Sequence, residues 1–416
     1  MKKIFCFILC AVTALSPLAV FTGAEEEKGA FDIDYSAYEG TTLNVYNWGE
    51  YISDGSEGTY DVVAEFEALT GIRVNYETYD SNESMYAKLD SGAANYDVII
   101  PSDYMIQRLA EEGMLEELDF SNIPNYRYID DKYKGLFFDP DNKYTAAYTA
   151  GYVGLIYNTE VVTETPSSWS IMWDEQYIGQ ILMPNNPRDA FGVAQYLLGG
   201  QTEDPDDYSV NSSNEEEWYN ALNKLKDQKP LVKGYVMDEI FNKMESGDAA
   251  IAAYYAGDFL TMYATNDSLA FVYPDEGTNV FVDAMCIPKG AKNKAAAELF
   301  INFMLEPEVA IANAEYICYA SPCSSVYTDP GYIETMSEMH EDAMEILYGT
   351  EDVTAQYFEN MSPEMLSVMN HLWEELKIDA SSGVGVNIAS GVIVAGLITL
   401  IALNAYTKKK RAKYYD

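Results

Sequence analysis

The side chains able to do chemistry are unevenly supplied. The 416 residues include 67 Asp and Glu against 25 Lys and Arg, but only two His and five Cys. Two His leave little room for His-based metal sites or Ser-His-Asp triads. Carboxylates and aromatics are what remain, the latter including 35 Tyr and five Trp. Two carboxylates facing each other across a groove could hydrolyse a glycosidic bond. A net charge of −42 repels phosphates, which excludes a nucleic-acid binder and leaves neutral or cationic partners. Both residue types meet in two short stretches, Asn47-Trp48-Gly49-Glu50-Tyr51 and Pro101-Ser102-Asp103-Tyr104.

Each stretch follows a strand by pattern. Leu43, Val45 and Asn47 alternate, so residues 42–47 read as a strand, and 72–76 and 97–100 as two more. Helical spacing over 61–70, 83–89 and 106–112 fills the intervals, with Gly71 and Gly113 as stops. This β-α-β-α-β-α succession implies a parallel sheet with helices on its faces. The second half repeats the style. Strands are expected at 152–157, 180–183, 249–254 and 280–287, and helices at 215–225, 237–246 and 294–305. Two α/β lobes in one chain suggest a cleft between them. Ligands of open α/β sheets sit beyond the carboxyl ends of strands, where the two stretches lie. His340 and His371 stand in acidic helical surroundings and read as surface residues. Asp80, Asn82 and Glu83 read as a turn and helix start.

The ends differ from the body. Residues 1–24 combine Lys2 and Lys3, an apolar run and a small-residue end at Ala24, the pattern of a secretory signal peptide. Residues 25–41 read as an acidic linker. Residues 380–407 hold no charge, and 384–406 are long and apolar enough to cross a membrane. Lys408, Lys409, Lys410, Arg411 and Lys413 follow in the tail 407–416, a positive-inside pattern. The expectation is a type I anchor with the acidic body outside. That body, residues 25–379, keeps 66 of the acids and 18 of the bases. Its three Cys, at 286, 318 and 323, permit a Cys318–Cys323 disulfide without requiring one.

Six segments in order carry a resemblance. Tyr46-Asn-Trp-Gly-Glu-Tyr51, Asp80-Ser-Asn-Glu-Ser-Met-Tyr-Ala-Lys-Leu89 and Tyr96-Asp-Val-Ile-Ile-Pro-Ser102 are followed by Ser167-Ser-Trp169…Trp173. Asp283-Ala-Met-Cys-Ile-Pro-Lys-Gly-Ala-Lys-Asn-Lys294 and Leu299-Phe-Ile-Asn-Phe-Met-Leu-Glu-Pro-Glu-Val309 complete the set. Together the chain resembles the polyamine (spermidine/putrescine) substrate-binding proteins of ABC transporters over about residues 42–377.

The resemblance implies a two-lobed α/β fold of the type II periplasmic-binding-protein kind, with a hinge and an interlobe cleft. Residues 42–148 with 283–325 would form lobe 1, and 149–282 with 326–379 lobe 2. Trp48, Tyr51, Ser102 and Tyr104 match family positions that line the cleft, and Asp283 matches the carboxylate that holds an amino end. Asp189 stands for a family Glu, and Tyr255 and Phe281 stand where Trp is usual. Glu359 falls near a late polar contact. Asn186 replaces an Asp of spermidine-preferring members. Glu50 and Tyr255-Ala-Gly-Asp258 resemble putrescine-preferring ones, so the set leans towards a diamine. A polyamine explains these types, because carboxylates bond ammonium groups and aromatic faces pack methylenes and attract cations.

The expected protein is an exported, monomeric receptor of a bacterium without an outer membrane, not an enzyme, with no cofactor or metal. It would hand putrescine or spermidine to ABC permease subunits while tethered by its C-terminal helix. The alternatives are a same-fold receptor for another cationic or amino-acid-like ligand, a surface glycosidase and an adhesin.

Overall fold

The computed structural model describes residues 35–378, apart from 39, 93, 203, 205 and 206. The expected leader 1–24, span 384–406 and tail 407–416 lie outside the described residues, as does most of the linker 25–41. Tyr35–Tyr38 form a short 3-10 turn at the linker's end. No helix among the described residues is long and apolar enough to cross a membrane.

The first half is built from β1 (Thr42–Trp48), α1 (Val62–Thr70), β2 (Arg73–Tyr79), α2 (Asn82–Asp90), β3 (Val98–Ile99) and α3 (Asp103–Glu111). Its three strands are parallel in the order β2-β1-β3. Local signals set the boundaries. Asp61 caps α1 by accepting from the Ala64 amide, and Gly71 ends it at φ 71°. Ser81 caps α2 in the same way.

The second half departs from the expected parallel style. Its sheet is mixed, in the order β10-β9-β4-β7-β5-β6 with β8 beside β4. The strands are β4 (Ala146–Asn158), β5 (Ile181–Pro184), β6 (Val232–Val236), β7 (Ile251–Tyr255), β8 (Leu269–Val272), β9 (Thr278–Met285) and β10 (Ala355–Gln356). β4 runs antiparallel to β7, β8 and β9. It is also longer than 152–157, because Ala146, Ala147, Ala150 and Gly151 carry little β signal. Its small residues admit neighbouring rings. A Cβ on Gly151 would lie 2.6 Å from Phe281 Cζ, and one on Gly154 would lie 2.2 Å from Phe271 Cζ.

Helices α4 (Pro187–Gly199), α5 (Glu215–Gln228), α6 (Glu239–Glu245) and α7 (Ala256–Tyr263) flank this sheet. Then α8 (Lys294–Met304) returns to the first half, where Phe300 and Phe303 meet Phe66 of α1. It is followed by α9 (Pro307–Ile317), α10 (Ser324–Tyr327), α11 (Pro330–Met339), α12 (Ala343–Tyr348) and α13 (Pro363–Ile378). Two bridges, Ile99 to Cys286 and Ser102 to Asp283, join the small sheet to the end of β9. Cys286, Cys318 and Cys323 are all buried and free, which resolves the pairing that the sequence left open.

Candidate functional site: an acid- and aromatic-lined cleft

Strand ends from both halves converge on one cleft, with about 770 Å³ of empty space that includes some open solvent. From the first half come Trp48 at the end of β1, Glu50 and Tyr51 just after it, and Ser102 and Tyr104 at the start of α3. From the second come Asn186 and Asp189 at the start of α4, Tyr255 and Asp258 where β7 runs into α7, and Phe281 and Asp283 on β9. Eleven of the twelve expected positions therefore share one space. Glu359 is exposed and does not line it; its neighbour Phe358 does.

Other lining residues were not expected. Asp238 and Phe241 follow β6, a strand–helix junction of the kind that pointed to Trp48, but no strand was expected at 232–236 and so they were missed. Asn82 was read only as a helix start. It does begin α2, but its buried amide donates to the Tyr104 hydroxyl at 3.1 Å and accepts from the Ser102 amide at 3.2 Å. Tyr319 has no local signal. It follows Cys318, which ends α9 in the left-handed region at φ 57°. Its ring lies where a Cβ on Gly257 would come within 2.6 Å of Cδ2.

Hydrogen bonds fix the walls. Trp48 Nε1 donates to the Ile100 carbonyl at 3.0 Å. The Tyr51 hydroxyl donates to Asp283 Oδ2 at 2.7 Å and lies 2.5 Å from Thr149 Oγ1, and Thr149 is the β4 partner of Asp283. The Tyr255 hydroxyl donates to Asp189 Oδ2 at 2.7 Å. Asn186 spends its side-chain oxygen as the cap of α4, on the Arg188 amide at 2.9 Å. Glu50 holds φ 51°, a conformation uncommon for any residue but glycine and one that clusters at functional sites.

The lining includes six carboxyl side chains (Glu50, Asp103, Asp189, Asp238, Asp258, Asp283) and nine aromatic rings, but no Lys, Arg or His. By their mutual effects the acids form two groups, Asp258 with Asp238 and Glu50, and Asp283 with Asp189 and Asp103. Burial pushes Asp258 up to about 7, and Asp238 and Glu50 add to the rise, while the Tyr319 hydroxyl offsets part of it. Burial likewise pushes Asp189 up to about 6; Tyr255 and Arg188 oppose this, and Glu83 and Asp283 reinforce it. Asp283 also rises to about 6 through burial, offset by the hydroxyls of Ser102, Tyr51 and Thr149. Its Oδ1 is buried without a hydrogen-bond partner. A buried carboxylate oxygen left bare is costly unless something cationic or hydrogen-bonding meets it. Among the described residues, no group of three or more His, Cys, Asp or Glu is placed to hold a metal ion.

The bacterial extracellular solute-binding protein family model matches residues 93–338. The chain belongs to that family. It is 33% identical over 290 residues to the spermidine/putrescine-binding periplasmic protein of Escherichia coli K12, covering 69% of this chain and 79% of that one. It is 28% identical over 314 residues to the putrescine-binding periplasmic protein PotF of the same organism, covering 70% and 80%. Among solved structures, a putative spermidine/putrescine ABC transporter from Listeria monocytogenes matches with a TM-score of 0.73 and 37% identity. That match covers 81% of this chain and 99% of the other. The α/β fold is thus that of the periplasmic binding proteins, and a solute-binding family has a transport role rather than a catalytic one.

Proposed function

We propose that this chain is an exported receptor that captures a polyamine, putrescine or spermidine, in the cleft and delivers it to an ABC permease. The observation that carries this is the lining: six carboxyls and nine rings without a base, with Asp283 Oδ1 bare. Ammonium ends would meet the two acid groups, and the methylenes between them would pack on the rings. An amino-acid-like ligand would bring a carboxylate for which the lining supplies no counter-charge. Glycoside hydrolysis asks for two acids whose pKa values are driven apart, whereas Asp189, Asp258 and Asp283 are all raised.

In this reading the lobes are residues 42–148 with 283–325 and 149–282 with 326–379, closing about the strands that cross between them. The apolar residues 384–406, with the basic residues 407–416 inside, tether the receptor to the outer face of the cell membrane after the signal peptide 1–24. Titration calorimetry with putrescine, cadaverine, spermidine and spermine tests the ligand class. Heat from none of them, with binding of a neutral or anionic solute instead, would refute it. Deletion of 380–416 should release a soluble protein that still binds; a released protein unable to bind would give the tail a role beyond anchoring.

A further inference from the structure

Tyr104, Gln107 and Glu111 recur three and four positions apart on α3, so they share one face of that helix. Tyr104 lines the cleft; the other two continue its stripe towards the surface, where Gln107 is half-buried and Glu111 exposed. Gln107 Nε2 donates to Glu111 Oε1 at 3.2 Å, which orients both side chains.

A strap from the second half, residues 357–360, lies along this stripe. Phe358, which also lines the cleft, meets the Tyr104 ring edge-on with 6.4 Å between centres. Asn360 meets the other two residues, its amide donating to Gln107 Oε1 and its Nδ2 to Glu111 Oε2, both at 2.7 Å. Asn360, Gln107 and Glu111 thus bond one another in a closed ring.

On its own side the strap is firmly held. Gln356, just before it, pairs with Asn279 of β9. The Asn211 side chain then stands in for a neighbouring strand: its Nδ2 donates to the Tyr357 carbonyl and its Oδ1 accepts from the Glu359 amide, both at 2.8 Å. Arg188 backs this pairing. It is 2% exposed, and its Nη2 donates to Asn211 Oδ1 at 3.0 Å and to the Glu359 carbonyl at 3.2 Å. The strap is therefore part of the second half, and the Asn360 ring joins it to the first. Such a polar joint, reached by water, parts and re-forms readily, because each donor and acceptor finds water on separation and the net strength of each bond is modest.

We propose that Asn360, Gln107 and Glu111 are positioning residues that form the clasp of the closed cleft: they hold Phe358 on Tyr104 over its end and so set how long a bound ligand stays. This rests on the two-lobed polyamine reading, in which α3 and the strap belong to lobes that part about a hinge. The clasp must open before a ligand leaves. It takes no part in the encounter of ligand with an open cleft, so it acts on the release rate.

The test uses the full chain in detergent and reads two quantities. Putrescine release is followed by stopped-flow tryptophan fluorescence, to which Trp48 in the cleft wall contributes. Lobe separation is measured by electron–electron double resonance between spin labels at Asp90→Cys on α2 and Glu216→Cys on α5. Both positions are exposed, whereas Cys286, Cys318 and Cys323 are buried. Asn360→Ala and Gln107→Ala should each raise the release rate about fivefold while the association rate holds within about twofold. Each should also shrink the short-distance fraction of the unliganded protein. Glu111→Gln, which keeps an acceptor oxygen, should stay near wild type on both readouts. Unchanged release rates and distances in both alanine variants would overturn the clasp, as would an association rate that fell as far as the release rate rose. A wild type that binds no polyamine would overturn the polyamine reading instead, and the distances would still decide the clasp.

Discussion

Asp283 and Tyr51 are joined by a 2.7 Å hydrogen bond from the tyrosine hydroxyl to Oδ2, which leaves Oδ1 of the same carboxyl buried and without a partner. The loop after β1 therefore orients an acid carried by β9. One oxygen is held by the protein and the other carries no hydrogen bond, which is where the proposed ligand's ammonium end would meet it.

Asp283→Asn should keep the Tyr51 bond, since an amide oxygen still accepts, but should lose the charge. Loss of one buried charged partner costs a complex roughly 3 kcal/mol, so putrescine affinity should fall about a hundredfold or more. Calorimetry gives the affinity and circular dichroism checks the fold. Unchanged affinity would remove Asp283 from the site.

Acidity should enter through the three raised carboxyls. Asp258 at about 7 and Asp189 and Asp283 at about 6 lie above the usual range for Asp. In the free protein these groups bind more protons folded than unfolded, so their contribution to stability falls as pH rises from the ordinary Asp value through about 7. A bound dication favours the ionised forms. Binding at pH 6 should therefore release protons, seen as a calorimetric enthalpy that depends on the buffer's ionisation heat, and affinity should weaken as pH falls below 7. A buffer-independent enthalpy at pH 6 would count against this set of acids.

Tyr255→Phe removes the 2.7 Å donor that opposes the rise of Asp189. The Asp189 pKa should climb further above about 6, so the loss of affinity should be larger at pH 6 than at pH 8. Equal losses at both pH values would mean that Tyr255 acts only as a wall.

The β4 glycines separate packing from recognition. Gly151→Ala and Gly154→Ala each force a Cβ onto a ring, Phe281 and Phe271 respectively, and each should cost about 1–3 kcal/mol of stability by overpacking. Only Phe281 lines the cleft, so Gly151→Ala should weaken ligand binding well beyond Gly154→Ala. Thermal denaturation with and without putrescine distinguishes the two.

Much of the first half was legible because its strands and helices are short, alternating or amphipathic, and closed by glycines or capped by Asp61 and Ser81. The second half hid more. α4 is buried at every position from Arg188 to Leu197, so it has no polar stripe to reveal its period, although Asn186-Pro187 is a helix start. The antiparallel pairing of β4 with β9 depends on partners more than a hundred residues away, which no local pattern encodes. Site residues at strand ends were found because the strand ends were. Tyr319 and Phe358 were missed because tertiary packing alone brings them in, and Glu359 was one residue from the ring that does line the cleft. Arg188 stood between two expected positions, but burial without a carboxylate bond cannot be read from sequence.

The uninterrupted course of β4 bears on how this molecule comes apart. Its first residues pair with β9 and its last with β7 and β8, so apart from a bulge at Tyr148 one strand supplies ladder partners to all three. Melting either portion strips hydrogen-bond partners from the other. Calorimetric unfolding should therefore be a single cooperative transition rather than two, and the β4 amides should be among the last to exchange with deuterium.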